Sequence, residues 1–257
     1  MLERRALVRR PSPRLAEGLV THVERQPVNA DLALRQWSAY VDALHSAGWE
    51  TIEVPPVDDC PDGVFVEDTV VMYGDRAVIT RPGADERKPE TAAVAELLGA
   101  LGYDVVAIEA PGTLDGGDVL KHEGTVWVGL GGRTNRAGVE QLTAYLEPFG
   151  ARVVPVPLSK VLHLKSAVTA LPDGTVIGYE PLVDDPDVWP SFLGVPEESG
   201  SHVVLLGEDT VLMSADAPDS RKLFEERGLD VAVVDIGEFI KLEGCVTCLS
   251  VRLRHTP

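Results

Sequence analysis

The sequence predicts an α/β protein built as a closed, propeller-like ring of five ββαβ units. Three observations carry this. A helical pattern that ends in glycine and runs into a β-rich segment recurs at intervals of roughly fifty residues. A hairpin signal accompanies most copies. The two chain ends, residues 7–9 and 246–253, offer a fifth hairpin that would close the ring.

In chain order, apolar residues at helical spacing predict helices over residues 30–47, 89–101, 136–149 and 220–227. They are followed by Gly48, Gly102, Gly150 and Gly228, each placed where a left-handed backbone stops a helix. A hydrophobic strand follows each glycine. Hairpins are predicted over residues 69–80, 117–128, 166–179 and 202–213, with Gly74-Asp75, Asp173-Gly174 and Gly207-Glu208-Asp209 as turns. The unit around residues 189–196 is the weakest, because its buried strand is barely visible. No linker or low-complexity tract divides the chain, so residues 1–257 are read as a single catalytic domain. The competing topology is an ordinary open α/β sheet, which would leave the polar residues scattered.

Composition narrows the function classes. The 257 residues carry a formal charge of -18 with a pI near 4.6, which disfavours a nucleic-acid partner and suits a cationic small molecule. No apolar run reaches membrane length. Residues 1–10 lack the apolar core of a signal peptide. Three cysteines are too few, and odd in number, for a disulfide framework. A soluble, reduced, cytoplasmic protein is expected; a homodimer is compatible with the sequence.

Candidate chemistry begins at Cys248. Read as a strand, residues 242–253 place Thr247, Leu249, Val251 and Leu253 on one face and Cys248 with Ser250 and Arg252 on the other. A thiol on the polar face is a nucleophile candidate rather than a packing residue. The same alternation in Val161-Leu162-His163-Leu164-Lys165 turns His163 away from the leucines. Glu67, Asp68, Asp115, His163 and Cys248 stand at equivalent places, ahead of or early in the first hairpin strand of their units. Ring closure would therefore gather them at one central pore. Carboxylates bind a planar guanidinium through charge-assisted bidentate bonds, and a bound cation eases ionisation of the thiol. A histidine beside them can protonate a departing amine and then deprotonate water.

These motifs carry a resemblance. Residues 61–68 (PDGVFVED), 80–84 (TRPGA), 113–119 (TLDGGDV), 161–165 (VLHLK) and 247–251 (TCLSV) together resemble dimethylarginine dimethylaminohydrolases of the pentein, or guanidine-modifying, superfamily. The likeness runs from about Leu15 to Leu253. It implies a five-bladed α/β propeller that hydrolyses asymmetric dimethylarginine, and monomethylarginine as well, to citrulline and an amine without a cofactor. By motif, Cys248 matches the nucleophile that forms an S-alkylthiouronium intermediate, and His163 the general acid/base. Asp115 matches the acid that orients the histidine and contacts the guanidinium. Glu67 and Asp68 match the guanidinium-contacting pair, and Arg87 and Arg133 the α-carboxylate clamp. Asp62 and the Leu19 backbone resemble the α-amino contacts, the Leu242 carbonyl a further contact, and residues 15–22 a lid loop.

Close relatives are separated by one position. Arginine and agmatine deiminases place Asp two residues after the histidine, whereas this chain has Lys165, which cannot accept a guanidinium hydrogen bond. An arginine deiminase-like hydrolase is thus the nearer alternative, and a non-catalytic binding protein of the same fold the more distant one. Cys245 and Cys248 have the spacing of a redox pair, but in a strand residues three apart face opposite ways, so no redox pair is expected. No resident metal is expected; zinc would act on Cys248 and His163 only as an inhibitor. His22, His45, His122, His202 and His255 are read as structural. Gly116-Gly117 and residues 129–132 lack the lysine and spacing of a phosphate loop.

Overall fold

A computed structural model describes residues 4–253. His255 and the first three residues of the N-terminal segment lie outside the described residues. Five separate three-stranded sheets form the frame, which rules out one open sheet. In the first, β1 (Arg5–Val8) is the middle strand. It pairs parallel with β2 (Glu50–Glu53) and antiparallel with β15 (Val251–Leu253), Leu7 standing opposite Val251. The chain ends therefore close the ring.

The other sheets repeat this plan of an antiparallel hairpin whose second strand takes a parallel third. They are β3 (Val70–Tyr73), β4 (Arg76–Ile79) and β5 (Asp104–Ala107), then β6 (Val119–His122), β7 (Thr125–Leu130) and β8 (Arg152–Pro157). After them come β9 (Val168–Ala170), β10 (Val176–Gly178) and β11 (Phe192–Gly194), then β12 (Val203–Leu205), β13 (Thr210–Ser214) and β14 (Asp230–Val234). Burial falls from the first and middle strands to the third. β3 and β4 are almost wholly buried, whereas β2, β5, β8 and β14 alternate between exposed and half-buried residues despite their apolar content.

Crossovers are helical where the sequence permits. α1 (Ala30–Ser46) is capped by the Asn29 side chain, which accepts from Leu32 N at 3.0 Å. α2 (Ala92–Ala100) follows a 3-10 stretch at Asp85–Thr91, and α3 (Arg136–Leu146) is capped by Asn135. α4 (Leu164–Ala167) is a single turn leading into β9, and α5 (Pro218–Glu226) has proline in its first turn. α6 (Gly237–Ile240) is another single turn. Gly48, Gly102, Gly150 and Gly228 all have φ between +80° and +87°, with open space where a side chain would stand, so conformation rather than crowding demands glycine there.

The fourth unit departs from the plan. Its crossover carries 3-10 turns at Glu180–Leu182 and Pro186–Val188 instead of a helix, because Pro181, Pro186 and Pro190 interrupt it. Trp189 compensates by packing on Trp127, with ring centroids 5.4 Å apart.

Strand alternation divides the core between neighbouring blades. Val70, Met72, Ala77 and Ile79 join Leu7, Val251 and Leu253, while Val71 and Val78 face Val119, Val126 and Val128 in the next interface. Packing between blades thus fixes where each first strand begins, and the polar residues sit at those beginnings.

Candidate active site

Glu67 and Asp68 lie in the 3-10 turn Val66–Thr69 that enters β3, and Asp115 precedes the turn Gly116–Asp118 that enters β6. His163 occupies the N-cap of α4, which enters β9, and Cys248 lies in the turn that precedes β15. Asp68, Asp115, His163 and Cys248 are all buried. Asp68, His163 and Cys248 line one cavity together with Asp62, Arg87 and Arg133.

The imidazole corner is tightly tied. His163 Nε2 lies 2.9 Å from Asp115 Oδ2, and its Nδ1 lies 3.9 Å from Asp68 Oδ1. Burial works against the imidazolium, but Asp68, the Asp115 bond and Asp118 outweigh it and push the His163 pKa up to about 9. The ring is therefore a cation at neutral pH. Burial also opposes ionisation of Asp68, yet His163, Arg87 at 2.6 Å and the Gly117 N–H at 2.8 Å hold its carboxyl well below the usual range. Glycine is required at 117, since a Cβ there would lie 2.7 Å from both Asp68 Oδ1 and His163 Nδ1.

The thiol side differs from the strand predicted for it. Residues 246–249 form a turn in which Cys248 N donates to Cys245 O at 3.1 Å, and β15 begins only at Val251. The two thiols consequently share a side, with sulfurs 3.4 Å apart. Opposite-face geometry, the reason for setting a redox pair aside, does not hold. The bond to Cys245, burial, and the charges of Cys245, Glu67 and Asp68 push the Cys248 thiol up, so it keeps its proton in the free protein. The same sulfur–sulfur hydrogen bond draws Cys245 down against burial, helped by His202 and Thr247.

The lid loop is shut. Leu19 N donates to both Asp62 oxygens at 3.0 and 3.2 Å, and Leu19 and Leu242 line the cavity. Burial raises the Asp62 pKa against the pull of Arg87 and this backbone bond. The enclosed volume is about 20 Å³, room for one water and far too little for an amino-acid substrate. Opening must precede binding.

Three predicted contacts are placed otherwise. Glu67 faces away from the Cys248 cavity: Oε1 pairs with Lys165 at 2.6 Å and Oε2 accepts from Thr247 at 2.8 Å, beside a separate 490 Å³ cavity. Its carboxylate is committed to that partition, so the guanidinium contact expected of it is not offered. Asp115 is wholly buried, accepts from Gly83 N at 2.8 Å and from the His163 ring, and does not line the cavity. It orients the ring, but its short side chain stops there. Arg87 reaches the cavity, but it donates to Asp68, both Glu90 oxygens and the carbonyls of Asp62 and Phe65, leaving little for a carboxylate. Arg133 is the reverse case. Its Nη1 is buried with no hydrogen-bond partner, 3.5 Å from Asp115 Oδ2.

Sequence reasoning assigned no role to two acids that hold the site. Asp118 accepts from Leu164 N at 3.0 Å and Thr134 Oγ1 at 2.5 Å, and Thr134 Oγ1 accepts from Asp115 N. Burial raises the Asp118 pKa to about 6. Glu243, at φ +61°, takes the backbone N–H groups of Thr21, His22 and Val23, pinning the lid. Its left-handed backbone beside a cavity was the available signal, but only coordinates show it.

No helix among the described residues is long and apolar enough to cross a membrane. No family model matches the chain. It is 66% identical over 255 residues, 99% of each chain, to a dimethylarginine dimethylaminohydrolase of Streptomyces coelicolor. It is 34% identical to the enzyme of that name from Pseudomonas aeruginosa, over 96% of this chain and 98% of the relative. A solved structure of the Pseudomonas aeruginosa enzyme, a cysteine-to-serine mutant complexed with citrulline, superposes with a TM-score of 0.91 at 32% identity, covering 98% of this chain and 100% of that one. The chain belongs to the dimethylarginine dimethylaminohydrolase family.

Proposed function

We propose that the protein hydrolyses asymmetric dimethylarginine, and monomethylarginine with it, to citrulline and the corresponding amine, with Cys248 as nucleophile. The observation that carries this reading is a single lidded cavity lined by Cys248, a protonated His163, the ionised Asp68 and a buried Arg133 with an unpartnered Nη1. The 66% identity to a relative of that name supports it.

The substrate's α-carboxylate takes Arg133 Nη1, which makes no hydrogen bond though it lies in ion-pair range of Asp115, and its α-amino group takes Asp62 once Leu19 has left it. The Leu242 backbone borders the same end. Asp68 receives the guanidinium, its position set by Gly117 and Arg87. A cation bound beside Cys248 lowers the thiol's pKa and yields the thiolate when it is needed. The sulfur attacks the guanidinium carbon, His163 gives its proton to the departing dimethylamine, and an S-alkylthiouronium remains on Cys248. Neutral His163, steadied by Asp115, then takes a proton from water; hydroxide adds to the carbon, the C–S bond breaks to return the thiolate, and the added hydroxyl loses its proton to solvent to give citrulline.

No cofactor is required by this route. Asp68, Asp115 and His163 bring ligand atoms within 4.8 Å of one another, but Arg87, Gly83 and the proton on His163 already occupy them. Zinc would have to displace that proton, which fits inhibition. Free thiols at Cys60, Cys245 and Cys248 suit a reducing cytoplasm. The direct test is citrulline release by reduced, zinc-free protein from dimethylarginine and from arginine; turnover of arginine alone would replace this reading with the deiminase one.

A further inference from the structure

The turn over residues 245–248 carries two thiols, and the proposed mechanism uses one of them. We propose that Cys245 is a peroxide-sensing cysteine, which once oxidised is joined by Cys248 in a reversible intramolecular disulfide that caps the nucleophile. Loss of turnover on oxidation rests on Cys248 being the nucleophile; the covalent step does not.

Geometry favours the bond. The sulfurs are 3.4 Å apart, and the Cys248 N–H to Cys245 carbonyl bond of 3.1 Å closes the turn between them. Such a turn brings its end Cα atoms within about 7 Å, overlapping the ~4.4–6.8 Å span that disulfides accept. Side-chain rotation must bring the sulfurs to about 2.05 Å. The Cys60 sulfur, by contrast, bonds to the Glu86 carbonyl at 3.8 Å.

Access favours it too. Cys245 lines a cavity of about 640 Å³ with Ser166, His202 and Glu243, whereas Cys248 lines the 20 Å³ cavity beneath the lid. That cavity offers peroxide an approach to Cys245, itself only 5% exposed, that does not pass through the cavity beneath the lid. The bond shared with Cys248, His202 and the Thr247 backbone N–H support a thiolate at Cys245, the form that reacts.

The electrons balance with hydrogen peroxide as oxidant. Cys245 thiolate attacks one peroxide oxygen, the O–O bond breaks, and hydroxide leaves as Cys245 becomes a sulfenic acid. Cys248 sulfur then attacks Cys245 sulfur, the S–O bond breaks, and hydroxide departs with the Cys248 proton as water. Two thiols and one peroxide give one disulfide and two waters. A dithiol reductant reverses the step by exchange.

The experiment treats the full chain with hydrogen peroxide, alongside C245S and C60S variants, and follows citrulline formation, intact mass and peptide mapping. The wild type and C60S should lose two hydrogens, show a Cys245–Cys248 linked peptide, lose activity in step with it, and recover both with dithiothreitol. C245S, lacking the reactive thiol, should form no disulfide and lose activity more slowly, by oxygen gain at Cys248 that dithiothreitol does not fully reverse. A wild type that gains only oxygen, or a C245S protein that is inactivated and rescued as the wild type is, overturns the proposal. Linked peptide without any basal turnover would leave the disulfide standing and remove the proposed reaction. Because the linked peptide is read on wild-type protein, a poorly folded C245S does not blunt the test.

Discussion

The two halves of the catalytic cavity are built on opposite principles. At the imidazole corner nearly every polar atom is committed: Asp115 to His163 and Gly83, Asp68 to Gly117 and Arg87, Asp118 to Leu164 and Thr134. Across the cavity, the Cys248 thiol bonds only to its neighbour Cys245, in a turn shaped by one backbone bond. The acid is assembled before substrate arrives, while the nucleophile waits as a thiol. A permanently ionised thiolate would be exposed to oxidants whether or not a substrate was present. On the proposed mechanism the reactive group is armed by the substrate's own charge, and the supporting groups by the fold.

Removing the nucleophile tests the contrast hardest. C248S should cut citrulline formation by roughly 10⁴-fold or more, with the fold retained by circular dichroism. H163N should cost about 10²–10⁴-fold in turnover by removing the acid and base. Dimethylarginine should then leave a stable mass adduct on Cys248, since deacylation lacks its base.

R133A probes a cavity-lining donor that makes no hydrogen bond in the free protein. Losing a charge-assisted bond of about 1.5–3 kcal/mol should raise KM by roughly ten- to a hundredfold with a smaller change in kcat. Arg87→Ala would act differently, because Arg87 holds Asp68; both constants should suffer.

D115N sharpens the electrostatic half. The His163 pKa is raised above its ordinary value to about 9, so the proton it contributes is fully held below about 6.5 and lost as pH rises through about 9. Both kcat/KM and the stability due to this corner should fall across that window. In D115N the falling limb should move to lower pH. A limb that stays in place would show that Asp115 does not set the imidazole's charge.

The smallest effect is expected at the lid. E243Q weakens the bonds to Thr21, His22 and Val23. Labelling of Cys248 by a haloacetamidine should become a few times faster, with little change in global melting temperature.

What the sequence reveals follows from how local each signal is. Hairpin turns and helix-ending glycines are settled by neighbours, so four of the five blades and the ring closure are legible from residues alone. The fourth crossover is not, since prolines there replace a helix with two 3-10 turns. Cys245 to Val251 alternates as a strand would, yet a backbone bond between Cys245 and Cys248 folds it into a turn, and this reverses the geometry of the two thiols. Gathering Asp68, His163 and Cys248 needed only repeat equivalence. Assigning Glu67 to the partition, Arg87 to Asp68 and Glu243 to the lid required partners between 19 and 222 residues away, which no local pattern encodes.

Acid-quenched intact-mass analysis during turnover of dimethylarginine tests the account most directly. It predicts a transient amidino adduct mapping to Cys248, longer-lived in H163N. Steady citrulline production with no adduct on Cys248, or with the adduct on Cys245, would contradict it.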